Sequence, residues 1–283
     1  MTAGTRQGLI AAGLLAPAAL LFAVLFVWPQ IGLFVQSFAN PAPFGFASYQ
    51  RFLGDSYYLG VLANSLLLGV CVTLVCLVLG FPLSFLLARA ETRWAGLLLL
   101  LTTFPLWVSA VVRSFAWMVL FYRGGTVSRL LQGSGLVPPD FQLLGTFAGV
   151  VVALAQVLLP IMVLTLYAVI RGIDRDLEHA AMNLGASPAA AMWLVTMRLA
   201  RGGILAGSLL VFSLSVSAFA TPSLVGGARA HFMAVTIYEQ TLELLDWPFA
   251  AAIAAILLAI ALTVALTYGK LLGETGSEGQ SGR

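Results

Sequence analysis

The sequence predicts an all-α integral membrane protein with six transmembrane helices, and two observations lead to that fold class. Of the 283 residues, 60% are hydrophobic and only 9% are charged, whereas soluble domains carry roughly 25% charged residues. The charged residues also cluster between long uncharged runs, each close to or longer than the ~20 residues that a helix needs to cross hydrocarbon. These runs cover residues 7–50, 60–88, 94–112, 141–170, 202–228 and 247–269.

The topology follows from the positions of the positive charges. Six spans place both termini on one side of the membrane. Nine lysines and arginines fall on that side and four on the other, with Arg113 inside a span. Because cytoplasmic loops carry an excess of positive charge, both termini are predicted to be cytoplasmic. The predicted spans are residues 9–37, 60–88, 94–121, 144–170, 203–225 and 248–271. We expect one transmembrane domain over 1–272, with a loop at 172–201, followed by a polar, disordered tail at 273–283.

Several classes of function fit the composition poorly. Cys71 and Cys76 are five residues apart within one span, so they would point to different sides of a helix and are expected to pack without a disulfide or a metal. The histidines and acidic residues lack catalytic or metal-binding spacing, which disfavours a membrane enzyme. A self-contained channel or secondary carrier is the main alternative, but it would need ionisable residues deep in its spans, where only Arg113 occurs.

The loop between the fourth and fifth spans carries the most informative pattern. A helix of about ten residues is predicted there, with acidic residues crowding its start, where the helix dipole favours negative charge. Gly185 allows a left-handed cap that ends this helix, and Ser187 with Pro188 begins a second one. An apolar stripe recurs at i, i+3, i+4 and i+7 on Leu177, Ala180, Ala181 and Leu184. This stripe suits docking into the groove of a cytoplasmic partner, or else packing along the bilayer or on the protein's own bundle.

The same loop resembles a known family motif. His179, Ala180 and Ala181, followed by Gly185, resemble the cytoplasmic loop of binding-protein-dependent ABC importer permeases, which usually reads Glu-Ala-Ala, three variable residues, Gly. Here His179 stands at the glutamate, Glu178 is one position early, and Arg198 stands at a later proline. The resemblance covers about residues 10–270 and is closest to the spermidine/putrescine-type branch. It is carried by Pro105 to Ser109, Arg113 to Trp117, Leu159 to Leu164, Phe219 to Gly227 and Asp246 to Ala250.

This resemblance implies a type I importer permease in the bacterial inner membrane. It implies two ATPase subunits, a second and homologous permease subunit, and an external solute-binding protein as partners, within membrane lipid and without nucleic acid. The cargo would be a small organic solute, with a polyamine or related cation as the candidate. The only lysine, Lys270, precedes Leu271 and cannot form a Walker A loop, so ATP and Mg are expected on the partner ATPase, with no cofactor or catalytic residue in this chain. The implied ATPase-coupling residues are Leu177, Glu178, His179, Ala180, Ala181, Leu184 and Gly185.

Two further groups are candidates for contact with the solute. Ser213, Ser217 and Thr221 would share one face of the fifth span, where they could line a cavity or bond only to helix backbone. Arg113 is placed near the outer boundary of the third span, as a snorkelling or paired residue or as part of an outer gate. Trp107 is a weaker pathway candidate, since packing or an interfacial position explains it better than contact with the solute. An external acidic stripe, either attracting a cation or simply solvated, would consist of Glu239, Glu243 and Asp246.

Overall fold

The computed structural model describes residues 15–39, 45–90, 92–135, 137–138, 141–227 and 231–278, and every regular element within these ranges is a helix. The start of the predicted first span, residues 9–14, lies outside the described residues. The all-α fold class is confirmed. The helices are α1 (Leu15–Gln36), α2 (Ala47–Gly54), α3 (Ser56–Arg89), α4 (Thr92–Thr103), α5 (Ala110–Phe121), α6 (Thr126–Gly133), α7 (Phe147–Arg171), α8 (Asp176–Asn183), α9 (Pro188–Leu199), α10 (Arg201–Val216), α11 (Ala220–Val225), α12 (Met233–Tyr238) and α13 (Trp247–Glu278).

Four of these helices are long and apolar enough to cross a membrane, namely α1, α3, α7 and α13 over Trp247–Lys270. Two further candidates are bent pairs. Gly96–Trp107 and Ala110–Gly133 meet at 92°, and Pro188–Leu199 and Arg201–Val216 meet at 75°. The described chain therefore holds four spans, or six if each bent pair counts as one. The spans predicted over 94–121 and 203–225 overlap these two bent pairs.

The break in the third span is explained by its proline. Pro105 lacks a backbone N–H and cannot continue an α-helical ladder. The chain tightens into a 3₁₀ turn at Phe104–Trp107, and Val108 then adopts an extended conformation with ψ 135°. Ser109 is likewise extended before α5 begins. The apolar run continues through this segment, which is why hydropathy alone predicted one uninterrupted helix.

The second bend lies at Ala200, just before the predicted fifth span, and no proline marks it. The helical path already runs from Pro188, and it turns at Ala200, which is fully buried and has ψ 7°. The nearby Gly203 lies against α7, where an added Cβ would come within 2.8 Å of Val169 Cγ2. Small residues at such contacts allow close approach of helix backbones. The helix then stops at Val216, and a separate short helix starts at Ala220.

The chain forms two compact units, residues 1–59 with 236–259 and residues 60–235 with 260–283. In the first unit, the Ser37 hydroxyl lies 2.7 Å from the Tyr49 hydroxyl. Arg51 pairs with Asp246 at 2.9 Å and lies 4.0 Å from the Phe249 ring centroid. These contacts tie α2 to the start of α13.

The core of the second unit surrounds α7, whose Met162 and Leu166 are fully buried. Two glycines let neighbouring helices approach Met162, because an added Cβ would lie 3.1 Å from its Cγ at Gly80 and 2.9 Å from its sulfur at Gly207. The final helix continues to Glu278. The predicted disordered tail is therefore helical over 273–278, and residues 279–283 lie outside the described residues.

Candidate functional site

The loop between α7 and α9 folds as the sequence predicts. Helix α8 covers Asp176–Asn183, and the Asp174 carboxylate accepts a hydrogen bond from the Asp176 N–H at 3.0 Å. Gly185 has φ +94° and ends the helix, while the Ala186 N–H donates to the Ala181 carbonyl at 3.1 Å. This is a Schellman arrangement, which satisfies carbonyls that a helix end leaves open. The left-handed cap predicted at Gly185 is confirmed.

The start of α9 also follows its predicted cap. The Ser187 hydroxyl accepts a hydrogen bond from the Ala190 N–H at 3.2 Å, and Pro188 occupies the first turn. The chain thus leaves α8, turns at one glycine and immediately begins another helix. The caps at Gly185 and Ser187 lie at the two ends of this short connection and hold α8 in a defined position.

The apolar stripe of α8 faces outward. Leu177 is 48% exposed and Leu184 is 90% exposed. Ala180 is exposed as well, and Ala181 is half-buried. The stripe is therefore not buried against the protein's own helices. Its four small or aliphatic side chains remain available for contact with another surface.

The opposite side of α8 is anchored through Glu178, which is only 7% exposed. Its carboxylate accepts hydrogen bonds from the Arg89 guanidinium, with Nη2 at 2.5 Å and Nε at 3.1 Å from Oε1. The Thr196 hydroxyl donates to the same carboxylate at 2.7 Å. Arg89 is the last residue of α3 and Thr196 lies in α9, so a single carboxylate joins three helices.

Backbone carbonyls complete this network, which we call the Glu178 anchor and define as Arg89, Ile173, Arg175, Glu178 and Thr196. Arg89 also donates to the Ile173 carbonyl at 3.2 Å. The Arg175 guanidinium donates to the Arg89 carbonyl at 3.2 Å. Cations at the end of α3 also interact favourably with the negative end of its helix dipole.

The structure shows the surroundings of the two residues that depart from the family motif, His179 and Arg198. His179, at the motif's glutamate position, is exposed, whereas Glu178, one position earlier, is buried and paired. Arg198, at the proline position, is exposed, and the chain bends at Ala200 instead. Sequence reasoning did not find Arg89 as the partner of Glu178, because 89 residues separate them.

The pathway candidates of the third span lie at its break. Trp107 is 83% exposed. Arg113 lies one turn after the break and donates to the Pro105 carbonyl across it. Its predicted position near the outer boundary assumed a straight helix of uniform rise, and the 92° bend removes that basis. The observed contact adds a side-chain donor to the Pro105 carbonyl, which also accepts a hydrogen bond from the Val108 N–H at 3.3 Å.

The three hydroxyls predicted on one face of the fifth span do not share a helix. Ser213 lies within α10, Ser217 caps its end, and Thr221 belongs to α11. The Ser217 hydroxyl donates to the Ser213 carbonyl at 2.8 Å, the backbone bond that the sequence left as an alternative. Thr221 is buried, 3.1 Å from the Ser114 hydroxyl of α5. The prediction of a continuous hydroxyl face was wrong because the helix ends at Val216.

The acidic stripe is also not a single α-helical face. Glu239–Glu243 forms a π-helical turn, and Leu245, with φ +55°, follows its end. Asp246 lies beyond this turn, where it pairs with Arg51 and accepts a hydrogen bond from the Phe249 N–H at 3.2 Å. Asp246 therefore caps α13, and the remaining carboxylates belong to a different turn of the chain.

The spans and the anchored, outward-facing helix define a multi-pass helical membrane protein of the transporter-permease class. The family described as binding-protein-dependent transport system inner membrane component matches residues 80–269. The chain belongs to this family, and it is an inner-membrane permease subunit of a binding-protein-dependent ABC importer.

Named relatives cover most of the chain. A spermidine/putrescine transport system permease protein PotB from Escherichia coli is 34% identical over 72% of this chain and 74% of its own length. The protein of the same name from Haemophilus influenzae is 31% identical over 71% of each chain. A molybdenum transport system permease protein ModB from Mycobacterium bovis is 32% identical over 65% of this chain and 68% of its own length.

Two solved structures share the fold. A bacterial ABC transporter involved in import of the acidic polysaccharide alginate matches with a TM-score of 0.73 and 18% identity, over 95% of this chain and 96% of the other. The alginate transporter in complex with a periplasmic protein bound to an alginate pentasaccharide matches with a TM-score of 0.78 and 16% identity, over 93% of each chain. At these identities the likeness establishes the architecture.

Proposed function

We propose that this permease passes a polyamine or related small organic cation from an external solute-binding protein into the cytoplasm, driven by ATP hydrolysis on partner subunits. In this proposal two ATPase subunits bind ATP and Mg, a homologous second permease completes the pathway, and both termini are cytoplasmic. The observation that carries the coupling role is helix α8, which exposes an apolar stripe on one side and is held by a buried ion pair on the other.

The exposed stripe supports docking into a groove of the ATPase. Leu177 and Leu184 project from a short helix whose centre, Ala180 and Ala181, is small enough to let a second surface approach closely. An amphipathic helix laid into an apolar groove is a recurring mode of protein recognition. The alternative of a helix lying on the bilayer uses the same apolar residues, so the two are separated by partner binding.

The Glu178 anchor supports the transmission of movement from the ATPase to the spans. A displacement of α8 pulls on the Glu178 carboxylate, which is bound to Arg89 at the end of α3 and to Thr196 in α9. Interfaces and packed cores respond by shifting between discrete arrangements. We infer that α3 and the bent α9–α10 pair move with α8 when the ATPase subunits close.

The cargo assignment is supported by the relatives, since proteins named for spermidine/putrescine transport are 31% and 34% identical to this chain. The molybdenum-named relative indicates that members of this family are associated with more than one solute. Asp246 is engaged with Arg51, so the cation proposal does not depend on the acidic stripe.

The docking step is tested by co-purification of the ATPase with Leu184→Asp. Leu184 is 90% exposed, so the variant should insert and fold normally, while a charge on the stripe should at least halve the amount of ATPase recovered. The matched control is Asn183→Asp, which adds the same charge at an exposed position off the stripe. Full ATPase recovery with Leu184→Asp, or equal loss with both variants, would contradict docking through the stripe.

A further inference from the structure

A cavity of about 500 Å³ lies beside the Glu178 anchor, between the ends of α3 and α7 and the start of the third span. Three guanidinium groups line it, from Arg89, Arg171 and Arg175. Arg89 is neutralised by Glu178. Within the part of the chain that the structure describes, no carboxylate lies within ion-pair distance of Arg171 or Arg175.

Arg171 and Arg175 are held in place by neighbours. The Arg171 guanidinium donates to the Tyr167 hydroxyl at 2.5 Å and lies 5.7 Å from the centroid of that ring. Arg175 donates to the carbonyls of Ala88 and Arg89 at 3.3 and 3.2 Å. Each guanidinium retains further N–H groups, since arginine carries five donors. Two oriented cations at one cavity form a site for an anion that accepts several hydrogen bonds, such as a phosphate group.

The rest of the lining indicates where that phosphate comes from. Arg89 and Arg171 are the last residues of two helices that are long and apolar enough to cross a membrane, and the ends of such helices lie outside the hydrocarbon, where lipid headgroups are found. Leu87 and Leu99 supply apolar wall beside the arginines. Gly96 adds open space, since a Cβ built there would meet no atom within 4 Å. A ligand with a phosphate at one end and hydrocarbon at the other matches both parts of this lining.

We propose that this cavity binds the headgroup of an anionic phospholipid such as phosphatidylglycerol, with Arg171 and Arg175 holding the phosphate. Basic pockets between membrane helices are a recognised means of binding acidic headgroups. Because Arg89, Ile173 and Arg175 also belong to the Glu178 anchor, a bound lipid contacts the connection between α8 and α3. The proposal does not require α8 to dock on an ATPase, since none of the described residues that line the cavity belongs to the exposed stripe of α8.

Lipid titration of the purified full-length chain, followed by native mass spectrometry, tests the site. Each arginine near a membrane surface strengthens anionic-lipid binding by about fivefold, so Arg171→Gln with Arg175→Gln should weaken phosphatidylglycerol binding about thirtyfold. Gly96→Phe should weaken it too by filling the cavity without changing the charge. Arg198→Gln removes an exposed arginine that does not line the cavity, and it should leave binding unchanged.

The controls distinguish binding of an anionic lipid from binding of any phospholipid and from binding of soluble phosphate. Phosphatidylcholine should bind weakly to all variants, and circular dichroism melting should show that each variant remains folded. Equal binding of phosphatidylglycerol by the wild type and the double arginine variant would overturn the proposal, as would equal binding of both lipids by the wild type. Displacement of phosphatidylglycerol by millimolar inorganic phosphate would identify a soluble-anion site and overturn the lipid assignment.

Discussion

Replacement of Glu178 with alanine should lower both the stability of the protein and the transport obtained per ATP. The Glu178 side chain is 10% exposed and that of Arg89 is 13% exposed. Removing one partner of a buried ion pair leaves the other charge uncompensated and costs about 3–5 kcal/mol. Because both side chains retain some exposure, we expect Glu178→Ala to cost about 3 kcal/mol, the lower end of that range.

A second ion pair in the same chain provides the comparison. Arg51 and Asp246 are 49% and 26% exposed and lie 2.9 Å apart. Exposed pairs contribute about 0–1 kcal/mol, and the Arg51 contact with the Phe249 ring adds about 0.5–1 kcal/mol. Arg51→Met should therefore cost about 1 kcal/mol, whereas Arg89→Met should cost about 3 kcal/mol.

The free energy of unfolding of each purified variant can be measured by titration with denaturing detergent. A double-mutant cycle between Glu178→Ala and Arg89→Met should give an interaction energy of about 1–3 kcal/mol. In the reconstituted importer, Glu178→Ala should retain ATP hydrolysis while transporting less solute per ATP. The reasoning is refuted if Glu178→Ala and Arg51→Met destabilise equally, or if transport per ATP is unchanged.

Two further predictions concern packing and buried hydroxyls in the second unit. Gly203→Val should cost about 1–3 kcal/mol, the usual cost of overpacking, because a Cβ there would lie 2.8 Å from Val169. The Cβ of Gly202→Ala would meet no atom within 4 Å, so that variant should be neutral or stabilising. Thr221→Val removes one of the two hydrogen bonds of the buried Ser114 hydroxyl, which keeps its bond to the Ala110 carbonyl, and should cost about 1 kcal/mol. Ser217→Ala at an exposed hydroxyl should stay within about 0.5 kcal/mol. Thermal unfolding of each pair checks both, and equal effects within a pair would contradict them.

The sequence was informative where one local rule decides the outcome. Clustering of charges indicated the apolar segments because hydrocarbon excludes charge along each whole segment. Gly185 and Ser187 marked the ends of α8 and the start of α9, since a cap depends on only a few neighbouring residues. These features carry over directly into the structure.

The sequence was uninformative where a tertiary contact decides. The apolar run continues through the bend at Pro105, and the 75° turn at Ala200 lies beside the close contact of Gly203 with Val169, a residue from a distant part of the chain. The acidic stripe was predicted from regular α-helical spacing, and the π-helical turn at Glu239–Glu243 changes that spacing. Periodicity arguments assume an unbroken α-helix, so the end of α10 at Val216 removed the predicted hydroxyl face and the π-helical turn removed the predicted acidic face.

The Glu178 anchor illustrates the same limit at the candidate site. In the motif, His179 stands where the family usually has glutamate. The structure shows the carboxylate one position earlier turned inward to Arg89, on a helix from a distant part of the chain. Arg89 could be placed at the end of a span from sequence, but its partner could not.

Uptake by proteoliposomes tests the central claim most directly. Vesicles containing this permease with its ATPase, its partner permease and its solute-binding protein should accumulate labelled spermidine or putrescine when supplied with ATP. Vesicles containing this chain alone should accumulate none, with ATP or with an imposed ion gradient. Uptake by the chain alone under an ion gradient would show a self-contained carrier and contradict the account.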